Sequence, residues 1–200
     1  KRVGYALSQI MVISMEGLGA GGYNNPRLAA AYVDTLEQHA FGNFRDLLEA
    51  VSINPAMGYY LSHRGNRKAD YPNNDPDQAP LRVPDENYAR EVMQLFTIGL
   101  VQLNADGTPR LTNGRTTDTY VQADVTGLSR VFTGWDRAPA GSEIEQSAQQ
   151  LLSPLVNTAS RHETGSKFFL GTTIAANTSA TDSLRTALDV LFNHPNVGPF

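Results

Sequence analysis

The stretch Pro84–Leu100, PDENYAREVMQLFTIGL, decides the fold. Pro84 suits a first helical turn, where its missing N–H costs no hydrogen bond. Asp85 and Glu86 set negative charge at the positive end of the helix dipole. Tyr88, Ala89, Val92, Met93, Leu95 and Phe96 recur at helical spacing as one wide apolar face, and Gly99 supplies a stop. A face that broad needs several elements packed around it.

The flanking sequence supplies them. Arg2–Ser14 is apolar almost all round and reads as a buried helix. Gly17–Asn25 holds four glycines and reads as a loop. Pro26 opens a helix through Ala40, with Leu28, Ala29, Tyr32, Leu36 and His39 among its spaced positions. Asn43 caps a third, Phe44–Ile53, and Asn54-Pro55 ends it and starts a short fourth, Ala56–Leu61. Ser62–Val83 is a long polar loop, of a kind that is usually functional or mobile.

Beyond the central stretch, Val101-Gln102-Leu103 and Pro109-Arg110-Leu111 flank Asp106-Gly107, a hairpin signal. Thr119, with Gln122 three residues on, has the form of a capping box for a helix running to about Trp135. Asp136–Arg161 is low in pattern, with some helical character at Glu143–Leu152. Lys167–Leu170 reads as a strand closed by Gly171, and Thr181 as the cap of a last helix, Ser183–Asn193. The predicted fold is mainly α: a multi-helix orthogonal bundle with one or two short β-hairpins and long loops. Residues 1–200 read as a single helical domain whose ends look like cuts in a longer protein.

One internal echo stands out. Phe44-Arg45-Asp46-Leu47-Leu48 through Asn54-Pro55-Ala56-Met57-Gly58 lines up without gaps on Leu184-Arg185-Thr186-Ala187-Leu188 through His194-Pro195-Asn196-Val197-Gly198. Each copy is an amphipathic helix, a polar residue and a proline. They read either as packed, related hairpins or as a coincidence between two Pro-broken helices.

Composition narrows the function classes. The chain has 200 residues, a net charge of −4 and 40% hydrophobic residues. No apolar run is long enough to cross a bilayer as a helix. No Lys/Arg cluster stands in the sequence, which argues against nucleic acid. The absence of cysteine excludes disulfides and thiolate sites.

Among residues able to carry chemistry, Asp124 is the oddest. On a helical wheel it falls inside the apolar face of Tyr120–Trp135, and a buried carboxylate needs a partner. It reads either as a catalytic base or metal ligand, or as one half of an ion pair with Arg90, Arg115 or Arg130. Glu91 and Asn87 sit one turn apart at the border of the central helix's apolar face. Glu91 either meets Asp124, so that the two carboxylates hold a cation or divide acid and base roles, or borders solvent. Arg90 and Glu86 have the spacing of an ordinary ion pair.

His162 and Glu163 precede the Lys167 strand without making an HExxH motif. His39 and His63 follow helices, where a cation is welcome. His194 aligns with Asn54 and reads as a cap. Asp70, Asn73, Asn74, Asp75 and Asp77 form an oxygen-rich loop. It is either a weak site for a divalent cation such as calcium or a solvated turn, since the EF-hand Gly and Glu are missing.

Glu86-Asn87-Tyr88-Ala89-Arg90-Glu91 with Leu95-Phe96-Thr97-Ile98-Gly99 resembles the signature of the bacterial domain-of-unknown-function family 1800. Tyr120-Val121-Gln122-Ala123-Asp124-Val125 with Thr133-Gly134-Trp135 resembles it too. So do His162-Glu163-Thr164-Gly165-Ser166-Lys167 with Leu170-Gly171, and the Asn54-Pro55 and His194-Pro195 turns. The resemblance spans nearly the whole chain, departing at Asn54, where the family usually has His, and at Glu163, where it has Asp.

It implies an exported, periplasmic or extracellular bacterial protein, often encoded beside a second exported protein, and it brings no established activity. By resemblance and chemistry together, Glu91, Asp124 and His162 are the catalytic candidates. Asn87, Arg90, Trp135 and Lys167 are the binding candidates. Two readings follow: a scaffold or binding component working with a partner protein, or a metal-assisted or carboxylate-dependent hydrolase-like enzyme.

Overall fold

The computed structural model describes residues 1–19, 26–137 and 152–200. The helical tendency expected at Glu143–Leu152 falls almost wholly outside them. The described residues are mainly helical, with small antiparallel strand pairs. In chain order the helices are α1 (Arg2–Ser8), α2 (Pro26–Gln38), α3 (Phe44–Ser52), α4 (Pro55–Tyr60), α5 (Asn87–Glu91), α6 (Gln122–Ser129) and α7 (Ala180–Phe192). The strand pairs are β1 (Leu111–Thr112) with β2 (Arg115–Thr116), β3 (Trp135–Asp136) with β4 (Val156–Asn157), and β5 (Lys167–Phe169) with β6 (Thr172–Ile174).

The central stretch is helical, but it is shorter and wider than a regular α-helix. Pro84 and Asp85 lie before it, and the Asp85 carboxylate accepts the Asn87 N–H at 2.8 Å. After Glu91 the helix opens into a π-helical segment, Val92–Thr97, whose exit is tied by Ile98 N–H donating to Met93 O at 2.9 Å. The wider turn shifts the register. Val92, Met93, Phe96, Thr97 and Ile98 all reach the core, while Leu95 turns out to solvent at 47% exposure, against the 3.6-residue expectation. Gly99 ends the segment at φ +66°. Tyr88 anchors the core, edge-on to Phe132 at 4.7 Å between ring centres.

Three further expectations need correction. α1 stops at Ser8 and is not buried: only Gly4 is, and Tyr5 stands 70% exposed. Among the described residues it packs chiefly against α2. The Thr119 helix begins at Gln122 and ends at Ser129, because Thr119 is otherwise engaged: its hydroxyl donates to Gly99 O. Trp135 is therefore on a strand. Gly134, at φ +85°, reverses the chain and lets Trp135 pair with Asn157. The cap of α7 is Ser179, whose hydroxyl accepts the Asp182 N–H at 3.1 Å, two residues before the expected Thr181.

The Asp106-Gly107 hairpin forms, held by a single bridge between Leu103 and Pro109 and by Asn104 N–H to Thr108 O at 2.8 Å. A second hairpin, β1–β2, turns on Asn113-Gly114, both in the left-handed region. That dipeptide is the strongest short hairpin signal there is, and the sequence reading passed over it. The echo has a structural counterpart. Its helices, α3 and α7, pack together through Phe44 on Phe192 and an Arg45–Asp189 ion pair at 2.6 Å. Asn54 Oδ1 accepts the Ala56 N–H and His194 Nδ1 accepts the Asn196 N–H, the same cap two residues on.

Candidate functional site

α5 and α6 pack against each other, and their exposed rims are clasped by Glu86. Its carboxylate accepts from Arg90 at 3.3 Å, Gln122 at 2.7 Å and Thr126 at 2.7 Å. The expected Glu86–Arg90 pair is thus present and extended across the helix interface, with Arg90 also donating to Gln122 at 3.0 Å. Asn87 stands at the start of α5, its amide 3.5 Å from the Ser62 hydroxyl.

Asp124 is buried, as its place on the wheel suggested, but its partner is not an arginine. One oxygen accepts the Val121 N–H at 2.8 Å, which closes the first turn of α6. The other accepts the Leu170 N–H at 2.7 Å. Leu170 is the first residue of the Leu170-Gly171 turn between β5 and β6 and sits at φ +46°, a strained position for a branched side chain. The carboxylate therefore holds both a helix start and a strained turn, using charge-assisted bonds to backbone amides. Gly127, one turn on, allows β5 to approach closely: a Cβ there would lie 1.7 Å from the Phe168 carbonyl oxygen.

At the other end of α6 lies a second polar cluster. Thr133 donates its hydroxyl proton to Arg130 O at 2.7 Å and accepts the Glu163 N–H at 2.8 Å. His162, 4% exposed, places Nδ1 2.9 Å from Thr133 O. A carbonyl only accepts, so Nδ1 carries the proton and Nε2 keeps a bare lone pair, buried and without a hydrogen-bond partner. Burial is the main cause holding the His162 pKa below its ordinary value; the nearby Lys167 adds to it, and the Thr133 bond and Glu163 work the other way.

Lys167 is wholly buried, with its ammonium 3.4 Å from Gly165 O and no ion pair among the described residues. Burial lowers its pKa, Glu163 opposes this and Arg130 adds to it. The arrangement sets one unpartnered imidazole nitrogen near the Lys167 ammonium, beside the Glu163–Gly165 loop, in which Glu163 Oε1 accepts the Gly165 N–H at 2.8 Å.

No hydrogen bond or ion pair links Glu91, Asp124 and His162. Among the described residues no three His, Asp or Glu side chains converge closely enough to hold a metal ion. Two carboxylates of the oxygen-rich loop are engaged within the loop itself. Asp70 pairs with Arg82 at 3.4 Å, Asp75 accepts from Asp77 N and Gln78, and Asn73 and Asn74 adopt left-handed backbone.

The sequence reading missed two groups. His63 is no exposed helix-end cation: it is 1% exposed, with its ring 4.0 Å from that of Tyr88 and Nε2 2.8 Å from Ser52 O. Burial brings its pKa down to about 4. Asn196, 3% exposed, accepts from Leu103 N at 2.7 Å and donates to Ile98 O at 2.6 Å and Val101 O at 2.9 Å, bolting the hairpin region to the end of the chain. The echo pointed to the Asn196 turn, but nothing local announced its long-range bonds.

A family model described as "Protein of unknown function (DUF1800)" matches residues 2–200. No curated protein and no solved structure matches the chain. The family match covers all the clusters described above, so the resemblance read from Glu86–Gly99, Tyr120–Trp135 and His162–Gly171 holds, and the chain belongs to the DUF1800 family.

Proposed function

We propose that the chain is a scaffold or binding component of an exported bacterial assembly: an orthogonal helical bundle that offers an apolar face to a second exported protein encoded nearby. The observation that carries this reading is an open groove of about 280 Å³ between the segment after α1 and α2. Val12, Ile13, Met15, Ala29, Tyr32 and Val33 wall it, and Val12, Met15 and Val33 are exposed. Tyr5 on α1 and Ile10 just after it are also exposed apolar residues. Grouped apolar surface of this kind marks interaction sites.

The test is to purify the full-length protein with the product of the adjacent exported gene and measure association by size exclusion and calorimetry. The expected result is a complex that the double substitution Val12→Asp, Val33→Asp abolishes at an unchanged melting temperature. No association, or a complex indifferent to that substitution, overturns the reading. Fractionation of the producing cells tests the periplasmic or extracellular placement.

One observation favours the second reading, a metal-assisted or carboxylate-dependent hydrolase-like enzyme with Glu91, Asp124 and His162 as its residues. It is the unpartnered Nε2 of His162, a buried nitrogen able to act as base or ligand near Lys167. A calcium- or zinc-dependent rise in melting temperature that His162→Ala removes would favour this reading. An unshifted melt removes its cation form.

A further inference from the structure

A polar corner is built from three parts of the chain that the sequence keeps far apart. Asp136, on β3, accepts from Arg64 at 3.2 Å on one oxygen and from Arg161 at 3.0 Å on the other. Arg137 follows directly, and its backbone N–H shares the Asp136 oxygen that Arg64 uses, at 2.8 Å. The Tyr59 ring carries two of the three guanidiniums: Arg64 Cζ lies 4.2 Å and Arg137 Cζ 4.9 Å from its centre. Arg137 Nη2 donates to the Tyr59 hydroxyl.

The balance of charge and of hydrogen bonds is incomplete there. Three guanidiniums meet one carboxylate, an excess of two positive charges among the described residues. Both Asp136 oxygens are taken by Arg64 and Arg161, so no described carboxylate pairs with Arg137. Its Nε and Nη1 are buried and have no hydrogen-bond partner, which leaves three N–H donors of a charged group unsatisfied. Trp135, on the same strand and 7% exposed, has a second kind of unpartnered donor in its indole Nε1. Leaving buried donors of a charged group without an acceptor is costly. Burial lowers the Arg137 pKa.

We propose that this corner of Tyr59, Arg64, Arg137 and Arg161 is a binding site for a phosphate group. Its excess of two positive charges matches a phosphate monoester, which carries about −1.5 to −2 near neutral pH. The free donors are guanidinium N–H groups, whose geometry suits phosphoryl oxygens. Arg64 and Arg161 stay tied to Asp136 and set the field, and Arg137 makes the contact. The site is separate from the groove that carries the partner reading and does not depend on it.

Trp135 is the protein's single tryptophan, so its fluorescence reports on this strand alone. The intact protein is titrated at constant ionic strength with inorganic phosphate, glycerol phosphate, acetate and chloride, with heats measured in parallel by calorimetry. The expected result is saturable binding of inorganic phosphate or glycerol phosphate and a phosphate-dependent rise in melting temperature. Equal affinity for the two assigns the free ion, and tighter binding of the monoester assigns a phosphate carried on a larger molecule.

Arg137→Gln is expected to weaken binding by about tenfold or more without lowering the melting temperature in phosphate-free buffer. Arg137→Lys keeps the charge and should restore only part of the affinity. The proposal is overturned if neither phosphate gives saturable heat or a melting shift, if acetate binds as tightly as phosphate, or if Arg137→Gln binds undiminished.

Discussion

Acid should destabilise this protein through His63, and the size of the effect follows from the geometry. Nε2 faces Ser52 O at 2.8 Å. A carbonyl only accepts, so the proton sits on Nε2 and Nδ1 holds a lone pair, buried and unpartnered. The ring is packed on Tyr88 and edge-on to Phe132, so an added proton on Nδ1 would bring a charge with no acceptor. Burial lowers the pKa from 6.5 to about 4, against the modest opposing pull of the Ser52 bond.

The unfolded chain protonates its histidine near pH 6.5, and the folded chain resists until about pH 4. Between these values the unfolded state binds more protons, so stability is full above pH 6.5 and falls as pH drops through the interval. A pKa carried from 6.5 to about 4 corresponds, at about 1.4 kcal/mol per tenfold, to about 3 kcal/mol lost by pH 4.

Urea unfolding from pH 7.5 to 4 on the wild type and on His63→Phe measures this directly. Phenylalanine keeps the aromatic contacts and removes the titration, giving up the Ser52 bond at about 1 kcal/mol. The variant should be less stable at neutral pH and more stable at pH 4, so the two curves cross. His162 and His194 also have lowered pKa values, but both are present in both proteins and cancel. Parallel curves, or a His63 ring that titrates near 6.5 by NMR, would refute the reasoning.

Asp124→Asn should cost about 2–3 kcal/mol by chemical denaturation, because one amide oxygen cannot serve both the Val121 and Leu170 N–H groups. Little or no loss would show that the carboxylate is not the clamp between α6 and the β5–β6 turn. Gly127→Ala should cost more than about 3 kcal/mol or prevent folding, since its Cβ would meet the Phe168 backbone and not a movable side chain. A soluble variant melting within a few degrees of wild type would contradict that close approach. Asn196→Ala should cost about 2–4 kcal/mol, by stranding Ile98 O, Val101 O and Leu103 N, and hydrogen exchange should quicken at Leu103.

Much of this protein was legible from local pattern. Asn43 and Asn54 announced their helix starts, the stripe on Pro26–Gln38 announced its buried face, and Gly99 announced a stop. These features depend on residues within one or two turns of each other, and that is the range over which periodicity and capping act. The burial of Asp124 was legible for the same reason. Its partners were not: Leu170 is 46 residues away, and an acceptor cannot tell from sequence whether an arginine or a backbone amide will arrive.

Tertiary structure alone decided the rest. It widened the central helix into a π turn, which carries Ile98 into the core and turns Leu95 out to solvent. It sealed His63 and Lys167 away from water, and that burial lowers the pKa of each. It drew Arg64, Arg137 and Arg161 around one aspartate, although no run of basic residues exists in the chain. Charge and solvation depend on distance in space, whereas helix starts and stripes depend on distance along the chain, and the sequence displays only the second.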